Sequence, residues 1–175
     1  MRAFVAVVVS LLLAGCAGMV TPSNTDNTAR AEMKTAGGQP VGAATLTQVS
    51  NTVRVVLEVQ GLPPGQHGVH VHTVGKCDPP DFNSAGSHFN PLSREHGALN
   101  PRGAHGGDLP NLTVGPDGKG RLESTTELFT LGNGPTSIFD SDGSALVIHA
   151  APDDFKTDPT GNSGARIACG VIVKK

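Results

Sequence analysis

Tryptophan and tyrosine are absent from this sequence, and only six of its 175 residues are phenylalanine. With 23 glycines and 13 prolines, the composition argues against long helices and predicts many short elements joined by turns. A large charge of one sign is also missing. The formal net charge is −2, so the molecule gives no reason to expect nucleic acid as a partner. An anionic substrate could be attracted only by a local positive patch.

The N-terminus carries an apolar run, but no transmembrane helix is predicted there. The run extends from Ala3 to Ala14, is interrupted only by Ser10, and follows Arg2. It is too short to cross a bilayer as a stable helix, which favours a cleaved export signal over a membrane-spanning anchor. Its end, LLAGC, resembles the bacterial lipoprotein signal, in which the cysteine is lipidated and becomes the mature N-terminus.

We therefore predict a signal peptide over residues 1–16 with lipoprotein-type cleavage before Cys16, and lipidation of Cys16. The protein would be exported and anchored to a membrane as a cell-envelope lipoprotein. An ordinary secretory signal cut nearby is the alternative. Residues 17–29 have too little apolar content to pack well and are interpreted as a flexible tether. Residues 30–175 then form a single domain, with no internal repeat.

Cysteine is scarce, with three residues in the whole chain. If Cys16 is lipidated, Cys77 and Cys169 remain as a pair. Export places this pair in an oxidising compartment, where a disulfide is the expected state. Two free buried thiols are the alternative if the chain stays in the cytosol.

Short apolar runs with turn signals between them predict an antiparallel β-sandwich or barrel. The clearest run is 52–59, where valine and leucine alternate mostly with polar residues, as in a half-buried strand. Two long irregular loops, 75–107 and 150–168, interrupt this pattern. Loops of such length in a compact domain are usually functional. The other predicted strands are 43–49, 68–74, 109–114, 119–128, 144–149 and 170–173.

The seven histidines are concentrated between His67 and His149. His70 and His72 are two residues apart in a predicted strand, so their imidazoles point to the same face. Two imidazoles held together suit Cu(II), zinc or Ni(II). Taken alone, this pair is a weak signal, because many strands carry two half-exposed histidines. His149 ends an apolar strand, where an unpaired polar ring would be costly.

The first long loop contains His88, His96 and His105, and Asp108 follows it. Three imidazoles and one carboxylate make a complete tetrahedral set for zinc with no position left for water, which is typical of structural sites. A metal would also order a loop that has no periodicity of its own. The alternative interpretation is scattered surface or capped core histidines. It is reasonable for any one of them and poor for six together.

Three segments of the sequence resemble the copper–zinc superoxide dismutase family. They are GQHGVHVH at 65–72, AGSHFNP at 85–91 and GNSGARIACGVI at 161–172. The likeness extends from about Arg30 to Val173. It implies an all-β fold, an eight-stranded antiparallel Greek-key β-sandwich or barrel of immunoglobulin-like architecture, with two long functional loops.

The resemblance also implies the ligands of two metals, copper and zinc. His70, His72 and His149 match the copper-only ligands, and His88 matches the catalytic histidine that bridges both metals as an imidazolate. The remaining zinc ligands would be His96, His105 and Asp108.

Further positions have implied roles around these metals. Asp153 matches a carboxylate that hydrogen-bonds copper and zinc histidines at once, although a slip of one residue onto Asp154 is left open. Arg166 matches the catalytic arginine that orients the anion beside copper. Cys77 and Cys169 match the family disulfide. His67 is implied to be a scaffold histidine rather than a ligand.

The second loop departs from the charge order of the familiar eukaryotic enzymes and is shorter. Arg166 is therefore the one guiding cation that we name, and Lys156 or Lys76 remain conjectures. The implied activity is dismutation of superoxide to O2 and hydrogen peroxide, protecting the cell envelope from extracellular superoxide. A homodimer is left open, since family members associate through different surfaces. The rival interpretations are a metal-binding module without turnover and a structural surface lipoprotein.

Overall fold

The computed structural model describes residues 27–175, and these fold into one closed antiparallel barrel of eight strands. Around the barrel the order is β1-β2-β3-β6-β5-β4-β7-β8, so the connections from β3 to β4 and from β6 to β7 pass over neighbouring strands. The prediction of an eight-stranded all-β fold is confirmed. The strands are β1 (Thr28–Lys34), β2 (Pro40–Val49), β3 (Thr52–Val59), β4 (Gly65–His72), β5 (Asp108–Val114), β6 (Gly120–Thr126), β7 (Ala145–His149) and β8 (Arg166–Lys174).

The predicted signal peptide, Cys16 and most of the predicted tether lie outside the described residues. The predicted end of the tether at residue 29 is wrong, because β1 begins at Thr28. Ala29 is fully buried and pairs with Lys174 of the last strand, so it belongs to the barrel. In the described residues, no helix is long and apolar enough to cross a membrane.

Alternation of apolar and polar residues builds the barrel wall. In β3, Val53, Val55 and Leu57 are fully buried while Arg54 and Glu58 are exposed. Because successive side chains on a strand point to opposite faces, this alternation fills the barrel with aliphatic side chains. The predicted half-buried strand is therefore confirmed.

Strand β4 separates the core from the face that carries the histidines. Val69 and Val71 belong to the main hydrophobic core, whereas His70 and His72 have the opposite parity and lie on the other face. All four residues are nevertheless buried, because irregular segments after β4 and after β7 cover that outer face. The pleat of one strand thus places two imidazoles directly outside the barrel wall.

Several predicted strand boundaries shift in the structure, and two of the shifts bear on the site. Strand β4 begins at Gly65 rather than Gly68, since Gly65 already pairs with Val114 of β5. Strand β8 begins at Arg166, which pairs with His149, so the second irregular loop is shorter than predicted. This pairing brings the predicted catalytic arginine next to a predicted copper ligand.

The disulfide between Cys77 and Cys169 is present, with an S–S distance of 1.99 Å, and confirms the predicted pair. It attaches the first loop to β8 over a separation of 92 residues. Cys169 lies in a small second core that also contains Phe82 and Ala85 of the first loop. A single 3-10 turn, Asn83–Ala85, is formed in this segment. The disulfide therefore holds the segment that precedes His88 against the barrel.

Replacing both cysteines with alanine should lower the free energy of unfolding by about 3–5 kcal/mol, because the bond closes a long loop in the unfolded chain. Urea unfolding of the double variant and of the wild type, both stripped of metal, measures this difference. Equal unfolding midpoints would contradict the prediction.

Candidate metal centre

One cluster of imidazoles lies between β4, β7 and the first loop. Nε2 of His72 and Nε2 of His149 are 3.4 Å apart. Their Nδ1 atoms are 2.9 Å from the carbonyl oxygen of Gly86 and 3.1 Å from that of Gly164, respectively. A carbonyl oxygen can only accept, so each Nδ1 carries the proton and each Nε2 keeps a lone pair. Both lone pairs are therefore available to one metal ion.

His70 belongs to the same cluster through Nδ1, whereas His72 and His149 belong to it through Nε2. Its Nε2–H donates to Oδ2 of Asp153 at 2.8 Å, while its buried Nδ1 has no hydrogen-bond partner among the described residues. An unpaired buried polar atom is costly and calls for a ligand. Ligand atoms of His70, His72, His88 and His149 all lie within 4.8 Å of one another, which fits copper or zinc.

A second cluster is centred on Oδ1 of Asp108. This oxygen is 3.1 Å from Nδ1 of His88, 3.1 Å from Nδ1 of His96 and 3.5 Å from Nδ1 of His105. Ligands of a tetrahedral zinc with bonds of 2.0–2.1 Å are about 3.4 Å apart. Nδ1 of His96 makes no hydrogen bond despite this short distance. The three ring nitrogens therefore lie around one carboxylate oxygen at separations that suit the ligands of a closed zinc site.

His88 is the residue that offers one ring nitrogen to each cluster. Its Nδ1 lies in the second cluster, and its buried Nε2 has no partner in the described part of the chain. His70 is also within ligand distance of both clusters. However, its Nε2 is hydrogen-bonded to Asp153, which leaves only Nδ1 for a metal. Of these two rings, His88 is therefore the one that has no hydrogen-bond partner outside the clusters among the described residues.

Asp153 bonds to one histidine of each cluster on the side away from the metal positions, as the resemblance implies. Oδ2 accepts from His70 at 2.8 Å, and Oδ1 accepts from Nε2–H of His96 at 2.9 Å. The alternative, Asp154, bonds instead to atoms of its own loop, including Thr157 and Asn162. The possible slip of one residue is therefore resolved in favour of Asp153.

Asn111 of β5 was not identified from the sequence. Its side-chain oxygen accepts from the backbone N–H of Asp153 at 2.8 Å, and its amide nitrogen donates to the Asp153 carbonyl at 2.9 Å. This reciprocal pair fixes the peptide that carries the bridging carboxylate. No sequence signal could have found Asn111, because an isolated asparagine in a strand has no characteristic spacing.

Arg166 lines the cleft that opens onto the first cluster. Its Nη1 and Nη2 donate to the carbonyl oxygens of Phe82 at 2.6 Å and Gly86 at 2.7 Å. The cleft has a volume of about 700 Å³, and His72, His88 and His149 line it together with the arginine. Two carbonyls in the disulfide-tied loop therefore hold the guanidinium beside the candidate copper site.

The other cations near the cleft differ from the conjectured ones. Arg94 lines the cleft, whereas neither Lys156 nor Lys76 is among its described lining residues. Asp158 also lines it and contributes the opposite charge. His67 is outside both clusters, with its ring nitrogens 2.8 Å from the His149 carbonyl and 2.9 Å from that of Pro63, as expected of a scaffold histidine.

Burial keeps the copper-type histidines neutral without metal. Desolvation lowers the pKa of His72 to about 2, of His149 to about 3 and of His88 to about 4, and it lowers the pKa of His70 as well. Neutral imidazoles are the form that binds metal.

In the second cluster, contacts between carboxylates and imidazoles outweigh the effect of burial on the pKa values. Burial alone would lower the pKa of His96, but the carboxylates of Asp108 and Asp153 raise it to about 9. Burial would likewise raise the pKa of Asp108, but its contacts with the rings of His105, His88 and His96 hold that pKa far below the ordinary value. The pKa of Asp153 is lowered for the same reason by His70 and His96. Both carboxylates are therefore anionic, which suits a divalent cation.

Metal-free protein should lose stability as the pH falls below 6.5, the ordinary pKa of histidine. In this range the unfolded chain protonates His72, His88 and His149, while the folded chain keeps them neutral. Each contributes about 1.4 kcal/mol of lost stability per pH unit until its own folded-state pKa is reached. Urea unfolding of metal-free protein at about pH 7 and about pH 5 measures the change. A stability that stays constant or rises would contradict the prediction.

The fold and the site define a β-barrel metalloprotein with two adjoining candidate metal sites. Residues 41–172 match the model of the copper/zinc superoxide dismutase family. The chain belongs to this family, which confirms the resemblance, and its metal-site residues are intact. The predictions of copper and zinc as cofactors and of a copper/zinc-type superoxide dismutase are confirmed with it.

Individual relatives agree with this assignment. Copper–zinc superoxide dismutase 2 of Aquifex aeolicus is 43% identical and covers 92% of this chain and 96% of its own length. The copper–zinc superoxide dismutase of Caulobacter vibrioides is 44% identical over 82% of this chain and 84% of its own. The crystal structure of a SOD-like protein from Bacillus subtilis is similar with a TM-score of 0.79 and 41% identity, covering 82% of this chain and 97% of that one.

Proposed function

We propose that this protein dismutates superoxide at a copper ion held by His70, His72, His88 and His149. Zinc would be held by the second cluster, with His88 as the shared imidazolate. In the reaction, one superoxide is oxidised to O2, and a second is reduced and takes up two protons to give hydrogen peroxide. The observation that carries the proposal is His88, whose Nδ1 lies among the zinc-type ligands while its buried Nε2 has no hydrogen-bond partner among the described residues; the residue also lines the cleft.

The donor set suits the two metals differently. Four imidazole nitrogens with an open cleft beside them fit copper, and three imidazoles with one carboxylate fit a closed structural zinc site. When bound, copper supplies the reversible one-electron change that the reaction needs. The protein supplies orientation, charge and proton positions.

Arg166 binds and orients the anionic substrate. Its guanidinium is held by two carbonyl oxygens, so it is positioned before the substrate arrives. A charge-assisted hydrogen bond from a planar guanidinium gives both attraction and direction. Arg94 adds a second positive charge at the same cleft and favours the entry of an anion.

Whenever it is not bound to copper, Nε2 of His88 would be the ring atom that can hold a proton near the cleft. Nδ1 of the same ring is committed to the zinc-type cluster, and the neighbouring ligand rings carry their protons on the sides that face carbonyl or carboxylate oxygens. A proton on Nε2 of His88 would therefore be delivered toward the reduced substrate rather than away from it.

The chain retains every residue that turnover needs. A binding module or a structural lipoprotein of the same fold would have no use for an intact copper set together with an oriented arginine. Both of these residue groups are present here, so the enzyme is favoured over the two rival functions.

Wild-type protein loaded with copper and zinc should dismutate superoxide well above the same concentration of free copper. His149→Ala removes one copper ligand and should lower activity more than about 100-fold, because even the loss of an outer partner of a ligand typically costs 10–100-fold. Spectrophotometric superoxide assays measure both. Activity of the wild type no higher than that of free copper would overturn the proposed function.

Arg166→Ala provides the matched comparison. It should retain copper binding but lower kcat/KM about 10- to 100-fold, the contribution of one hydrogen bond to a charged group. If Arg166→Ala lost copper as completely as His149→Ala, the substrate-orienting role of Arg166 would be wrong.

We further propose that the protein acts in the cell envelope, held there by a lipid on Cys16. The support is the sequence alone: a short apolar run that ends in LLAGC. A lipid anchor would keep the enzyme where extracellular superoxide arrives. Whether two copies associate is a matter for measurement of mass in solution.

Cys16→Ser should release the protein from the membrane fraction, because serine cannot carry the thioether-linked lipid. Fractionation of cells that express wild type or variant, followed by detection of the protein, tests this expectation. A variant that stays bound, or a wild type that is already soluble, would contradict the anchor.

A further inference from the structure

In most of the candidate ligand histidines, the ring nitrogen that points away from the metal clusters has a hydrogen-bond partner. Such partners fix the tautomer and orientation of a ligand ring. His88 is the exception, since both of its nitrogens face the clusters. The partners are Asp153 for His70 and His96, the Gly86 carbonyl for His72, and the Gly164 carbonyl for His149.

The remaining candidate ligand is His105. Its Nε2, the ring nitrogen that points away from the cluster, faces the carboxylate of Asp158 in the second loop. Nδ1 of His105 lies in the zinc-type cluster, 3.5 Å from Oδ1 of Asp108. With Nδ1 as a ligand, the proton must be on Nε2. Oδ1 of Asp158 is 3.7 Å from that Nε2. This distance is too long for a direct hydrogen bond, but the carboxylate is near enough to attract the Nε2–H group electrostatically.

Asp158 also contacts a second ligand of the same cluster. The backbone N–H of His96 donates to Oδ1 of Asp158 at 2.6 Å. One carboxylate oxygen therefore lies next to two zinc-type ligands that are nine residues apart in the chain. Its side chain is 49% exposed and lines the cleft, so it is separate from the buried Asp153.

We propose that Asp158 is a positioning residue for the zinc half of the site. Its Oδ1 accepts a hydrogen bond from the backbone N–H of His96 and faces the Nε2–H group of His105 as an electrostatic partner. The carboxylate thereby orients both rings and adds negative charge close to a divalent cation. This role rests on the proposed function, because it requires zinc at the second cluster.

The same contact links the zinc cluster to the wall of the cleft. The second loop reaches the first at three points: Asp153 at the His96 ring, the Phe155 carbonyl at the backbone N–H of Leu99, and Asp158 at the His96 backbone. Asp158 is the outermost of these, and Pro159 and Thr160, which follow it, line the cleft. This contact therefore attaches the wall of the cleft to a candidate zinc ligand.

The experiment compares zinc affinity in wild type, Asp158→Asn and Asp158→Ala, by competition with a chromophoric chelator. Asparagine keeps an oxygen for the His96 N–H but loses the charge, while alanine loses both. We expect zinc to bind about 10- to 100-fold more weakly in Asp158→Ala, with Asp158→Asn in between, the usual effect of losing an outer partner of a ligand. Copper affinity should change less than about threefold, because none of the copper-only ligands contacts Asp158.

Asp154→Asn is the matched control. It removes the same charge from the same loop, but its carboxylate bonds only within that loop. Zinc affinity in this variant should stay within about threefold of wild type, since loss of a remote exposed charge is largely screened. An equal loss of affinity in Asp154→Asn and Asp158→Asn would overturn the proposal.

Two further measurements separate positioning from general destabilisation. Cobalt(II) in the zinc site should show altered d–d absorption bands in both Asp158 variants, while the unfolding midpoint of metal-free Asp158→Asn should match that of wild type, because asparagine keeps an oxygen for the His96 N–H. Unchanged zinc affinity in both Asp158 variants overturns the role of Asp158 alone. A wild type that binds no zinc overturns the proposed function instead.

Discussion

The carboxylate of Asp153 is the group on which the rest of the site depends. It accepts a hydrogen bond from a ring of each cluster, at 2.8 Å from His70 and 2.9 Å from His96. Each bond forces the opposite nitrogen of that ring to face a metal position, so one buried anion sets two ligand directions. A buried carboxylate without such partners would cost several kcal/mol, and it is therefore stable only as part of this arrangement.

The barrel makes that arrangement rigid. Strand β4 presents His70 and His72 on its outer face, and Asn111 of the adjacent β5 holds the backbone of Asp153 from the same sheet. The irregular loop that carries Asp153 is thereby attached to the regular strands of the barrel. Metal ligands in loops can then be as precisely placed as those on strands.

The disulfide is a second restraint, and it acts on the part of the site that faces the cleft. The segment it holds supplies the carbonyl oxygens of Phe82 and Gly86, which position Arg166, and Gly86 also accepts from His72. The candidate copper ligand His72 and Arg166 are therefore held by the same carbonyl oxygen, that of Gly86. A change in that loop would move the candidate metal site and the anion-binding group together.

Local patterns in the sequence determined the strands, the two long loops and the residues that could bind metal. Spacing of two along β4 was enough to place His70 and His72 on one face, because side-chain direction on a strand depends only on neighbouring residues. The family resemblance added copper, the bridge and the arginine. By contrast, β1 (Thr28–Lys34) was not among the predicted strands, since its alanines are only weakly apolar and are buried through pairing with a strand at the other end of the chain.

Only the tertiary structure decided which nitrogen of each ring faces a metal and which residues hold the rings. Asn111 and Asp158 contact the site across 42 and 62 residues of sequence, and neither belongs to a spacing pattern. The choice of Asp153 over Asp154, and of His88 over His70 as the bridge, likewise depends on hydrogen-bond directions between distant loops. Such directions arise when the chain closes on itself, so the order of residues alone does not contain them.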